Sequence, residues 1–414
     1  IGHDRGEMKG DTLTVLQFVL SALAIAVLGF LALLLIGVAL VEGFFPQDSP
    51  LSGMPLLITG TALAVTGLLV LPSTFYSFQR LIGRPSSPAG TGPSFLRVLP
   101  LVALPVVLLA GYLISKSLEF TWMLLPPFHI LAVGLPVLWF LLMGLQGLPP
   151  GSNQRAWGVF ASGLVLGPVV ILLLEMIVLV AFIVLAVLWV ASQPEIVTEL
   201  ESLASKFQYT EIDPEQAIEL IGPYLAHPLV LAGALSFTAL LVPLIEELIK
   251  PVGVWLLLGR NLTPAAGFAA GLISGAGYAL FESLALTTTG EDWLLLVVAR
   301  MGTAIVHIFT TGLTGWAIAT AWQKRRFGVF LAAYLTAAAV HGIWNALTVM
   351  GSFSVLLDAA GEAPIPVVER LGAIAPVALV LLTLGTFYVL LRSNRKLRSE
   401  QNMQLTPGPQ DAVL

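Results

Sequence analysis

The sequence predicts an all-α fold: a polytopic helical membrane protein with about ten transmembrane helices and both termini in the cytoplasm. Three observations carry that prediction. First, the 414 residues are 57% hydrophobic and 10% charged, whereas an ordinary soluble domain is about 25% charged; mean hydropathy is +0.93. Second, the apolar residues form long continuous runs, so the spans are helices and not barrel strands. Third, basic residues fall in alternate loops. The net charge of −5 matters less than that placement. No cysteine is present, which excludes disulfides and thiolate metal sites.

A span needs about 20 apolar residues. Segments 13–41, 55–76, 97–115, 122–145, 157–192, 229–258, 264–287, 293–321, 327–350 and 365–391 qualify. The first is longer than the 7–15 apolar residues of a signal-peptide core, so it reads as a retained span. Arg5 and Lys9 precede it. Arg80, Arg84, Arg97, Arg155, Arg260 and Lys324-Arg325-Arg326 lie in loops of the same side, as do Arg392, Arg395, Lys396 and Arg398 after the last span. The opposite loops hold chiefly Lys116, Lys206 and acids. The positive-inside rule places the first group in the cytoplasm.

Between the fifth and sixth spans lies a polar segment, 193–228. Ile196, Leu200, Leu203 and Phe207 recur there at helical spacing, and Asp213-Pro214-Glu215 reads as a helix start. One or two short amphipathic helices near the outer surface are expected, capping the bundle or acting as a lid. The tail after Ser399 is polar, carries Pro407 and Pro409, and is expected to be disordered. The first five spans carry little charge beyond Glu175, which is expected to pair within the bundle. His129 follows Pro126-Pro127 near a helix start and reads as structural.

Polar residues gather in spans six to nine. Span six carries Glu246, Glu247 and Lys250 between Pro243 and Pro251. Each charge near the bilayer centre costs about 2.5–3.5 kcal/mol on insertion scales, so three within five residues must pair or line a cavity. On an unbroken helix Glu246 and Lys250 share a face, with Glu247 rotated about 100° from Glu246. Span seven repeats Gly267, Gly271 and Gly275, a stripe suited to close helix approach. Ser274, Tyr278 and Glu282 form a polar stripe beside it. Span eight carries Arg300 and His307 on one face, with Thr303, Thr310 and Thr311. Span nine carries His341 and Asn345, one turn apart.

Depth makes these groups one question. At 1.5 Å per residue, Glu246, Glu247, His341 and His307 all lie about 18–21 Å from an end of their spans, near the middle of a core about 30 Å thick. Glu282 and Arg300 lie nearer the outer surface, where they can pair or ring an entrance. Two Glu, two His and an Asn can supply a general base, an oxyanion donor and water-orienting groups. The same types can hold Zn²⁺ with a position open for water. The chain has no GxSxG, no HExxH and no paired intramembrane aspartates, which disfavours serine, zincin-type and aspartyl hydrolysis.

The order Glu246-Glu247-x-x-Lys250, Phe281-Glu282, His307 and His341-x-x-x-Asn345 resembles the PrsW family of intramembrane proteases, over about residues 235–350. That family is related to the CAAX prenyl protease and bacteriocin-processing membrane proteins, whose pattern is EExxxR, FxxxH and HxxxN or HxxxD. Lys250 in the first motif and Glu282 in place of the FxxxH pattern favour the PrsW branch. The resemblance implies an intramembrane endopeptidase, glutamic-type or metal-dependent, acting on a membrane-anchored protein. It implies that Glu246 or Glu247 activates water with help from His307, and that His341 and Asn345 stabilise the oxyanion or complete a metal site. Lys250 would keep the Glu pair ionised, and Glu282 would assist. If a metal is used, Glu247, His307 and His341 are its implied ligands and Zn its implied identity. The implied substrate class is a membrane-anchored anti-sigma factor cut at site 1.

On this reading the chain divides into a five-span region of unassigned role (1–192), an extracytoplasmic amphipathic segment (193–228), a four-span catalytic core (229–351), and a last span with its polar cytoplasmic tail (352–414). The partners are a membrane-anchored protein substrate and the lipid bilayer, with no nucleic acid. The setting is a multi-pass protein of a bacterial plasma membrane. The same intramembrane charges would also suit an ion- or proton-coupled transporter. A noncatalytic membrane scaffold is the third reading.

Overall fold

The computed structural model describes residues 2–44, 53–90, 94–116, 123–209, 213–260, 262–286, 288, 290 and 292–405. The chain is an all-α polytopic membrane protein, and nine helices among the described residues are long and apolar enough to cross a membrane. The segment expected as a third span is shorter. A 3₁₀ turn, Ser94–Arg97, leads into helix α3, Leu99–Ser115, of 17 residues. At 1.5 Å per residue that is about 25 Å, a few ångströms short of the hydrocarbon core.

Before α3 come α1 (Gly2–Phe44) and α2 (Gly53–Leu81). After it come α4 (Leu125–Gly144), α5 (Asn153–Ala161) and α6 (Gly167–Ala191), the last two joined by a π-turn at Ser162–Leu166. The polar connector forms the two expected short helices, α7 (Pro194–Tyr209) and α8 (Pro214–Leu225). Asp213 caps α8 by accepting from the Gln216 amide at 2.8 Å.

The expected sixth span, Pro228–Trp255, is one of these nine. It runs as α9 (Pro228–Leu235), a π-turn at Ser236–Leu241, α10 (Val242–Ile249) and α11 (Val252–Trp255). The break falls at Lys250-Pro251. Proline has no N–H, its ring clashes with the preceding turn, and it pushes the residue before it out of α geometry. Glu246 lies within α10 and Lys250 directly after its last residue. Then follow α12 (Pro264–Ala285), α13 (Asp292–Lys324), α14 (Phe327–Ala359) and α15 (Pro366–Leu405). Helix α15 continues past Ser399 to Leu405, where a disordered tail was expected; Pro407 and Pro409 lie outside the described residues.

The chain forms two compact units. One comprises residues 1–168, 249–337 and 385–414; the other comprises 169–248 and 338–384. In the first, α12 is the central helix and is buried on nearly every face. A Cβ at Gly271 would collide with the backbone of Thr311 and Gly312, and one at Gly275 with His307 O and Ile308 Cα. The glycine stripe thus lets α12 and α13 touch backbone to backbone. On another side of α12, Gly277 meets Phe160 and Leu164 in the same way. Trp293, fully buried, donates from Nε1 to His129 Nδ1 at 3.2 Å, so His129 is the structural residue its position suggested. In the second unit Leu231, Met350, Leu357 and Val368 form a small apolar core.

Candidate active site

The first unit places Lys250, Glu282, Arg300 and His307 in one continuous chain of contacts. Released from helical geometry by Pro251, Lys250 is fully buried and its carbonyl accepts from Ser274 Oγ at 2.6 Å. Its ammonium lies 4.6 Å from the Tyr278 ring centroid and 2.7 Å from His307 Nδ1. A cation over an aromatic face is attracted by the ring quadrupole. On the other side of the imidazole, His307 Nε2 lies 2.5 Å from Glu282 Oε2. Arg300 grips that carboxylate with both terminal nitrogens, Nη1 to Oε1 at 3.1 Å and Nη2 to Oε2 at 2.9 Å. Its Nε donates to Ser283 Oγ at 3.3 Å.

These contacts assign the proton on His307. An ammonium only donates, so Nδ1 accepts from Lys250; Nε2 then carries the hydrogen and faces the Glu282 carboxylate as an ion-pair contact. The ring is held in one tautomer and one orientation by groups of opposite sign at its two nitrogens. The expected Glu282–Arg300 pair is present, and it extends to His307. What the sequence reading missed was the partner of Lys250. The only sequence signal for it was Pro251, which ends the helix at that point.

Arg300 therefore reaches His307 only through Glu282. Partners of that kind typically contribute about 10–100-fold when they orient a reacting or ligating imidazole. Arg300→Gln is expected to lower turnover of the candidate activity by about that factor, with Arg300→Lys recovering part of it. Turnover measured at saturating substrate checks this; an unchanged rate in folded Arg300→Gln protein would remove Arg300 from the site.

The second unit places Glu246, Glu247 and His341. All three are buried, with Glu247 fully inaccessible. His341 Nδ1 lies 3.1 Å from Glu247 Oε1 and 3.7 Å from Glu246 Oε2. Local structure explains the approach. Gly342, next to His341, has no side chain to strike the Ala239 carbonyl, so α14 packs directly on the π-turn before α10. That turn leaves the Thr238 carbonyl to accept from Asn345 Nδ2 at 2.8 Å. Single π-turns within α-helices are frequent at functional sites. Asn345 thus ties α14 to the turn through one amide hydrogen and keeps its second.

Two buried carboxylates thus converge on one imidazole nitrogen. Two carboxylate oxygens and an imidazole nitrogen are donors that suit Zn²⁺. Among the described residues of the second unit, Glu246, Glu247 and His341 are the groups that could hold a metal ion.

Each unit thus holds a buried polar cluster inside apolar helices, the mark of a polytopic membrane protein with ionisable groups in its interior. Residues 218–382, less than half of the chain, match the family model described as PrsW family intramembrane metalloprotease. The match spans every residue of both clusters and supports an intramembrane protease function. No curated protein and no solved structure matches the chain.

Proposed function

We propose that the chain is an intramembrane endopeptidase, metal-dependent, hydrolysing peptide bonds of membrane-anchored proteins. The observation that carries this reading is the buried approach of Glu246 and Glu247 to His341 Nδ1, at 3.7 and 3.1 Å. Glu247 and His341 would hold the ion; the resemblance implies His307 as a further ligand. Bound there, a Zn²⁺ would supply a water of lowered pKa and polarise the scissile carbonyl.

The protein's own groups do the rest. Glu246, the carboxylate farther from His341, takes the proton of the attacking water and returns it to the leaving amine. Asn345 directs its second amide hydrogen toward the developing oxyanion. Lys250 and Glu282 hold His307 in one tautomer, and Arg300 holds Glu282. A membrane-anchored anti-sigma factor in a bacterial plasma membrane is the substrate class to test first.

One observation favours a metal-free, glutamic-type variant: both ring nitrogens of His307 already have partners, Lys250 and Glu282. In that variant His307 assists through hydrogen bonds alone. The deciding experiment is cleavage of single-span substrates by the purified protein in lipid vesicles, with and without a chelator. The metal-dependent reading expects cleavage to vanish with chelator and to return with Zn²⁺. Cleavage that survives exhaustive chelation establishes the glutamic type. Intact substrates throughout, together with ion flux in the same vesicles, would overturn the protease in favour of a transporter.

A further inference from the structure

The end of α15 carries a second polar arrangement, in the first unit and apart from the residues above. Four basic residues, Arg392, Arg395, Lys396 and Arg398, follow the last apolar run within seven positions. Their helix is pinned. Asn394, nearly inaccessible, donates to Gly144 O at 2.7 Å and to Gln146 O at 3.0 Å, at the end of α4. Leu390 and Leu397 belong to the buried core on either side of it.

This anchoring shapes a cavity of about 570 Å³, lined by Gly147, Arg395, Arg398, Ser399, Asn402 and Met403. The size falls within the range of about 300–1,000 Å³ for ligand clefts. The four polar lining residues of α15 recur at spacings of three and four, so they share one helix face. Gly147 has φ of +71°, and a Cβ there would run into the stem of Arg398. The arginine side chain can lie against the loop backbone only because that position is glycine. Among the described residues no carboxylate pairs with Arg395 or Arg398.

We propose that this cavity binds the phosphate of an anionic lipid headgroup. Guanidinium forks match phosphate oxygens bidentately, and Ser399 and Asn402 add neutral donors beside them. The level is right. Arg395 lies four residues beyond the apolar run ending at residue 391, about 6 Å along the axis. Met403, 67% exposed, offers apolar surface on the same face. The positive-inside rule puts this end of α15 at the cytoplasmic leaflet, where anionic lipids attract basic segments.

The test is native mass spectrometry of the full chain in detergent, titrated with phosphatidylglycerol or phosphatidylcholine. Wild type is expected to retain phosphatidylglycerol in preference to phosphatidylcholine. At about 1 kcal/mol per arginine, Arg395→Gln with Arg398→Gln should weaken phosphatidylglycerol binding roughly 30-fold. Arg392→Gln with Lys396→Gln removes the same charge from outside the cavity and should weaken it far less, because these side chains do not line the site. Equal losses in the two double variants would show diffuse attraction and overturn the built site. Absence of lipid preference in wild type would overturn it too. A third arm uses inorganic phosphate without lipid. Binding of phosphate that needs both arginines, with lipid binding indifferent to them, would replace the lipid by a soluble anion.

Discussion

Glu247→Gln is expected to lower peptide cleavage about 10²–10⁴-fold, the span that positioned acid–base and charge chemistry contributes, while the protein stays folded. The substitution keeps shape and volume and removes one negative charge from a fully buried position. Glu247 is the closer of two carboxylates on His341 Nδ1. The side chain keeps its shape, so a folded protein should remain. Activity should nevertheless collapse, because the group that fixes the imidazole or holds the ion is gone. Glu246→Gln should match this loss if Glu246 is the base, and His341→Ala should equal either. The measurement is turnover of a single-span substrate in vesicles, with the melting temperature of each variant alongside. Wild-type turnover in Glu247→Gln protein would take that residue out of the mechanism.

Gly271→Leu should have the largest effect on stability. The new side chain must enter a space where even a Cβ meets the backbone of Thr311 and Gly312. Backbone cannot rotate away as a side chain can, so α12 and α13 must separate. Overpacking typically costs about 1–3 kcal/mol, and the rigid contact places this site at the upper end. In a membrane, close contact is also a main source of helix association, since lipid is as apolar as the side chains it would replace. His307 lies one turn from Thr311 on α13, so its contacts to Lys250 and Glu282 should loosen with the helix pair. Gly385→Leu is the control, because a Cβ at Gly385 meets nothing within 4 Å. Thermal unfolding followed by tryptophan fluorescence in detergent should show Gly271→Leu well below wild type and Gly385→Leu close to it. Coincident curves for all three proteins would refute the packing argument.

Much of this molecule is legible from local sequence. Long apolar runs mark the helices, because a span must bury every backbone group within itself. Asp213-Pro214 marks the start of α8, and the glycine stripe marks the face of α12 that meets a neighbour. The polar residues stood out because ionisable groups in an apolar run are costly, and their depths could be counted along each helix. The contact of Lys250 with His307 was not legible, because it joins residues 57 positions apart. The third apolar segment was read as a full span, yet α3 has only 17 residues.

The sequence by itself determined the all-α membrane class, the extents of most helices and which ionisable residues fall inside apolar runs. These follow from one-dimensional periodicity and transfer free energy. The tertiary structure alone decided the partners: Lys250 and Glu282 on the two nitrogens of His307, Arg300 behind Glu282, both carboxylates on His341, and Asn345 on the carbonyl of a π-turn. A hydrogen bond needs its atoms within about 3 Å, and which helices bring them that close depends on glycine contacts and helix breaks whose consequences appear only once the helices are packed.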